Sequence, residues 1–125
     1  MFYRNSMLPE AAPPSFERPI DLVHLARQTL GDRDLEREVL GLFVVQARSV
    51  LDMLGAARDQ RQRGDLAHTL KGSARSIGAW RVAAKAETCE QLIAANDASW
   101  QAALDELTAS VREAIGAIDT FHAAA

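Results

Sequence analysis

The chain has 125 residues, 48% of them hydrophobic and 25% charged, a composition that excludes a disordered protein and suits one globular domain. The net charge of −3 and the lack of a Lys/Arg run disfavour nucleic-acid binding. With a single cysteine, Cys89, no secretory signal and no evident 18-residue apolar span, we expect a cytoplasmic protein that binds no membrane.

The prolines divide the chain into two parts. All four lie within the first nineteen residues, at Pro9, Pro13, Pro14 and Pro19. Proline disfavours helix interiors, and sustained alternation of β-branched and polar residues is missing from the rest of the sequence. The sequence therefore predicts a flexible arm over residues 1–19 and an all-α domain over residues 20–125.

The first two predicted helices differ in length. A short helix is expected over residues 21–29, with Asp21 as its N-cap and Gly31 after its end. A long helix follows over residues 33–57. Its apolar residues recur at steps of three and four and are expected to face the core: Leu35, Val39, Leu42, Phe43, Val50, Leu51 and Leu54.

Three more helices complete the domain. The third begins at either Asp59 or Asp65, of which we favour Asp59 with Gly64 inside the helix, and Gly78 suits its C-cap. The fourth covers residues 80–95 and the fifth residues 98–122. Each carries an apolar stripe, which in the fourth helix consists of Val82, Ala86, Cys89 and Ile93. Short loops between amphipathic helices predict an antiparallel four-helix bundle with a short additional N-terminal helix.

His68 lies in the third predicted helix and is expected to point away from the core. At 100° per residue, Leu70, Ala74 and Ile77 lie opposite it. The positions within about 60° of His68 are a separate group: Lys71, Gly72, Arg75 and Ala79. The imidazole is therefore predicted to be open to solvent, with basic residues beside it.

The residues around His68 favour a phosphoryl acceptor over an ordinary surface histidine. Histidine carries a phosphoryl group covalently, and transfer requires in-line access to the ring nitrogen. Lys71 would stabilise the added negative charge, and Gly72 leaves one flank without a side chain. Arg75 could contact the phosphate or an acidic pocket of a partner, or could be an ordinary solvated surface residue. Lys85 would add positive charge near the site.

The segment AHTLKGSARSIGA, residues 67–79, resembles the motif of histidine phosphotransfer (HPt) domains. The segment IDLVHLARQTLGDRDLEREVLGLF also resembles the family's first helix and the start of its second, so the resemblance covers residues 20–122. It implies a phosphocarrier rather than an enzyme. His68 would accept a phosphoryl group from a receiver aspartate or a kinase and pass it to another receiver.

The resemblance also implies partners and a further site residue. The partners would be receiver domains of response regulators and of hybrid histidine kinases, which supply Mg²⁺; the domain itself would need no cofactor and act as a monomer. In the family, the residue twenty-two positions after the histidine often hydrogen-bonds the imidazole. That position is Glu90 here, where several phosphorelay members have glutamine and the chemotaxis-kinase members have glutamate.

Alternatives to these interpretations remain. Glu90 also suits a solvated residue at the edge of its helix stripe. The second interpretation of the chain is a helical adaptor that docks a receiver or kinase without phosphotransfer. The retention of His68 with Lys71 and Gly72 argues against it, because docking alone requires no nucleophile. A metal site is disfavoured because no His, Asp or Glu lies at metal-ligand spacing from His24 or His122. Cys89 lies in an apolar stripe and is expected to be a small buried residue.

Overall fold

The computed structural model describes residues 13–124, so residues 1–12 of the predicted arm, and residue 125, lie outside the described part. Within it the chain forms five helices and no strands. The helices are α1 (Leu22–Gln28), α2 (Arg33–Ala56), α3 (Gln60–Ile77), α4 (Trp80–Ala94) and α5 (Trp100–Ala123). The all-α prediction is confirmed.

Aspartate side chains cap the first three helices. Asp21 accepts a hydrogen bond from the amide of His24, and Asp32 accepts one from the amide of Leu35. Asp59 accepts from the amide of Arg61 at 3.3 Å, so α3 starts where we favoured it, with Gly64 inside. Such caps satisfy N–H groups that have no partner within the helix.

Helices α2 to α5 form the predicted antiparallel bundle. α3 packs between α2 and α4, α4 packs against α5, and a looser seam joins α2 to α5. The predicted stripe of α4 is buried in full: Val82, Ala86, Cys89 and Ile93. The short α1 lies against α3, as the additional N-terminal helix.

The prediction for the buried face of α2 was partly wrong. Leu35 and Leu42, assigned to the core, are exposed by 39% and 63%. The predicted residues Phe43, Val50 and Leu54 are buried, and Leu40 and Ala47, which were not predicted, are buried with them. Because α2 carries apolar side chains on more than one side, spacing alone does not select the side that packs.

The same feature corrects the expectation of no long apolar span. Among the described residues, α2 alone is long and apolar enough to cross a membrane by length and composition. Its most apolar 18-residue window has a mean hydropathy of 1.5, and 28% of that window is buried. A helix that packs one face into the core of a bundle passes the same test.

A tight corner joins α1 to the loop between α3 and α4. Gly78 ends α3 with a positive φ of 80°, as predicted for a C-cap. Its carbonyl accepts a hydrogen bond from the amide of Asp21 at 2.9 Å, and the Trp80 indole N–H donates to Asp21 Oδ2 at 2.8 Å. A Cβ at Gly78 would lie 2.9 Å from the Asp21 carbonyl oxygen, so Gly78 also permits this close packing.

The described end of the arm contacts this corner. The amide of Ser15 donates to Asp21 Oδ2 at 3.1 Å, and Arg81 Nε donates to the carbonyl of Phe16 at 2.7 Å. Arg81 also pairs with Glu113 of α5 at 3.1 Å. Residues 15 and 16 are thereby joined to the start of α4.

Candidate functional site

His68 stands on the outer face of α3. Its side chain is 68% exposed, whereas Ala67, Leu70 and Ala74 of the same helix are fully buried. These buried residues fix the rotation of α3 about its axis, because their apolar surface is removed from water. His68 therefore points into solvent, as the helical wheel predicts.

Glu90 of α4 contacts the imidazole. Its Oε2 lies 2.9 Å from His68 Nδ1, across the interface between the two antiparallel helices. An ionised carboxylate accepts hydrogen bonds only, so Nδ1 donates in this contact. The proton is thereby held on Nδ1, and Nε2 retains the lone pair. Nε2 makes no hydrogen bond to any of the residues that the structure describes.

Lys71 also contacts Glu90. Its Nζ lies 2.7 Å from Glu90 Oε1, and its side chain is only 14% exposed. Partial burial acts to raise the pKa of Glu90, but hydrogen bonds from Lys71 and His68 and the positive charge of Lys71 outweigh it and lower the pKa below its ordinary value. The two oxygens of one ionised carboxylate thus hold one partner each.

Gly72 leaves open space beside His68. A Cβ placed on it would have no neighbouring atom within 4 Å, and the residue is exposed. Close helix packing therefore gives no reason for a glycine here. Among the described residues, no neighbouring side chain fills the space at Gly72, so this flank of the imidazole is open to an approaching group.

The remaining predicted residues divide into three cases. Arg75 is exposed on the His68 side of α3 and lies 3.5 Å from Glu87 of α4. Lys85 instead faces α5, where its Nζ lies 2.7 Å from Glu106, so the structure does not bring it to His68. Ala79 is fully buried because α3 ends at Ile77 and the helical wheel no longer applies beyond it.

Two grooves flank the face of α3 that carries His68. The first, of about 490 Å³, runs between α3 and α4 and is lined by Gln60, Arg61, Gly64, Asp65, His68, Glu90, Ile93 and Ala94. Sequence reasoning missed Arg61 and Asp65 there. They lie seven and three residues before His68, and this helical spacing places them on the same face of α3. The spacing alone could have predicted their position beside His68.

The second groove, of about 180 Å³, lies between α2 and α3. It is lined by Val39, Leu42, Phe43, Gln46, Ser73, Ser76 and Ile77. Leu42 and the neighbouring Val45 are exposed by 63% and 69%. The sequence analysis missed this apolar surface because it assigned Leu42 to the core.

The described residues contain no cluster of three or more His, Cys, Asp or Glu side chains that would hold a metal ion. Cys89 is buried, as predicted, and burial raises the pKa of its thiol to about 11. This thiol is therefore protonated near neutral pH and is a poor nucleophile. His68 is the more accessible nucleophilic side chain.

Comparison with protein families gives one match. The sequence model of the Hpt domain matches residues 38–120, about two thirds of the chain. The matched range contains His68, Lys71, Gly72 and Glu90, and it confirms the resemblance read from the motif around His68. No curated protein and no solved structure matches the chain.

Proposed function

The chain belongs to the Hpt domain family, and from that premise we propose that it is a phosphorelay intermediate in which His68 accepts and donates the phosphoryl group. Domains of this family are phosphocarrier modules that act with receiver domains. The observation that carries the proposal is the exposed imidazole of His68, held at Nδ1 by Glu90 with Nε2 open.

The transfer step follows from that geometry. The lone pair of Nε2 attacks the phosphorus of a receiver aspartyl phosphate, the P–O bond to the aspartate breaks, and the carboxylate leaves with the bonding electrons. Donation to the next receiver is the same exchange in reverse. The domain contributes a positioned nucleophile, and the receiver supplies the Mg²⁺ that neutralises charge in the transition state.

Cationic side chains of α3 support the phosphorylated state in this proposal. Lys71 stays beside the site through its contact with Glu90 and offsets part of the negative charge that phosphorylation adds. Arg75 is half-exposed and only loosely paired with Glu87, so it is free to meet an acidic group of the partner. Lys85 is paired with Glu106 of α5, and this proposal assigns it no contact with the phosphoryl group.

The receiver is proposed to dock over α2 and α3. Leu42 and Val45 form an exposed apolar surface on α2, and Leu42 lines the groove shared with Ser73 and Ser76 of α3. Exposed apolar patches of this kind mark protein–protein contacts. The open flank at Gly72 continues this surface towards His68, so a docked receiver would reach the imidazole from that side.

The test is a transfer assay with radiolabelled phosphoreceivers from the source organism. We expect acid-labile label on the wild-type protein and none on His68→Ala. His122→Ala, at the far end of α5, is the matched control and should retain the label. If no receiver transfers label to the wild type, the proposal is wrong. If a receiver binds wild type and His68→Ala equally and no phosphohistidine forms, the adaptor function replaces it.

A further inference from the structure

The two oxygens of the Glu90 carboxylate contact different residues. Oε1 is held by Lys71 at 2.7 Å, and Oε2 lies 2.9 Å from His68 Nδ1. Lys71 therefore fixes the carboxylate in one orientation and leaves one oxygen aimed at the ring. A glutamine at this position would also accept a hydrogen bond from Nδ1, but it would carry no charge.

We propose that Glu90 keeps Nδ1 protonated when Nε2 carries a phosphoryl group, and that this shortens the lifetime of the phosphohistidine. The inference rests on the proposed function, because it takes His68 Nε2 as the site of phosphorylation. It adds a property that the family match does not assign: the lability of the stored phosphoryl group is set by the charge of Glu90.

The chemistry depends on the leaving group. When water or a carboxylate attacks phosphorus, the P–Nε2 bond breaks and its electron pair goes to Nε2. With a proton on Nδ1, the ring departs as neutral imidazole; without it, the ring departs as an imidazolate anion, a much poorer leaving group. The proton lost by an attacking water goes to solvent. A carboxylate beside Nδ1–H favours the protonated ring and so favours cleavage.

Other charges near the ring do not replace Glu90. On α3, Arg61 and Asp65 line the groove with His68, and Lys71 is bound to Glu90. On α4, Glu87 is directed to Arg75. In the described part of the chain, the groove beside His68 is lined by residues of α3 and α4, and Nδ1 donates its hydrogen bond to Glu90.

The experiment loads the protein chemically. Phosphoramidate, a small phosphodonor, transfers its phosphoryl group to Nε2 with release of ammonia, so no receiver is needed. After removal of the donor, the loss of phosphohistidine is followed by ³¹P NMR between pH 5 and pH 9. Wild type is compared with Glu90→Gln, and Glu87→Gln, one turn earlier on α4, is the matched control.

We expect Glu90→Gln to lengthen the half-life about tenfold at pH 8, the size expected for losing one charge-assisted hydrogen bond. Towards pH 5, protons from solvent should replace the contribution of Glu90, so the half-lives should converge. Glu87→Gln should follow the wild type throughout. Equal half-lives at every pH would overturn the inference, as would a ratio that is the same at pH 5 and pH 8.

The half-life measurement needs no receiver, so failure of this inference can be distinguished from failure of the proposed function. If phosphoramidate fails to load His68, the inference is wrong, because it requires an accessible Nε2. If the pH profile is as expected but no receiver exchanges phosphoryl with His68, the proposed function fails while the effect of Glu90 stands. If transfer occurs but Glu90→Gln has an unchanged profile, the function stands and this inference fails.

Discussion

Gly72 and Gly78 lie six residues apart, one within α3 and one at its end, in opposite surroundings. Gly72 is exposed, and an added Cβ would have no neighbour within 4 Å. Gly78 is buried with φ of 80°, and an added Cβ would lie 2.9 Å from the carbonyl oxygen of Asp21. One glycine leaves room for a partner and the other lets the chain pack against itself, so their replacement should affect different measurements.

The largest expected effect is the loss of stability in Gly78→Val. A β-branched residue at positive φ costs roughly 1–2 kcal/mol, and the contact with the Asp21 backbone adds to this, for a total of about 3 kcal/mol. Urea denaturation measures the change in the free energy of unfolding. Gly78→Ala is the milder control and should lose less. Wild-type stability in Gly78→Val would show that α1 does not approach Gly78 closely.

Gly72→Leu should slow phosphotransfer without destabilising the fold. We expect phosphotransfer from a receiver to slow about tenfold, which corresponds to ~1.4 kcal/mol in the barrier. The free energy of unfolding should rise by up to about 1 kcal/mol, since leucine suits a helix better than glycine. Gly72→Ala is the control for helix propensity and should keep most of the transfer rate. Normal transfer by Gly72→Leu would remove the access role.

Trp80→Phe tests the corner around Gly78 without touching the glycine. Removal of the indole N–H that donates to Asp21 should cost about 1 kcal/mol of stability and leave transfer unchanged. The same substitution in an Asp21→Asn background should cost less, because the charged acceptor is already gone. Equal costs in the two backgrounds would mean that the charge of Asp21 adds nothing to this hydrogen bond.

The smallest expected effect is a pH dependence at the same corner. Partial burial acts to raise the pKa of Asp21, but hydrogen bonds from Trp80 and from the amides of His24 and Ser15 lower it below the usual 3.8. The stability from these bonds is thus present above about pH 4 and is lost as pH falls through the folded-state pKa. Between pH 5 and pH 3, thermal denaturation should show a larger loss for wild type than for Asp21→Asn.

Features that depend on local sequence were predictable. The caps at Asp21, Asp59 and Gly78 follow from the chemistry of helix ends, and the α4 stripe follows from its spacing. The exposure of His68 follows from the apolar residues on the opposite face of its helix. The position of Glu90 required the resemblance, which alone relates two residues on different helices.

Features set by contacts between helices were not predictable. The ion pair between Lys71 and Glu90 is one example. The two residues lie nineteen positions apart on different helices, so the sequence around Lys71 does not indicate this partner. The exposed face of α2 at Leu42 depends on which of its apolar sides α3 and α5 cover. The approach of Asp21 to Gly78 likewise depends on how α1 docks, and the sequence analysis gave Gly78 only the end of a helix.

The docking of α1 has a consequence for the order of folding. α1 has seven residues, of which only Leu25 is buried, and a helix this short is unstable alone in water. The Trp80 indole donates a hydrogen bond to Asp21, the N-cap of α1, and so joins residues 59 positions apart. This contact can offset the entropy cost of closing that loop only after the turn between α3 and α4 has formed. α1 should therefore form late and open first, and its amides should exchange with deuterium while α3 still holds His68 in place.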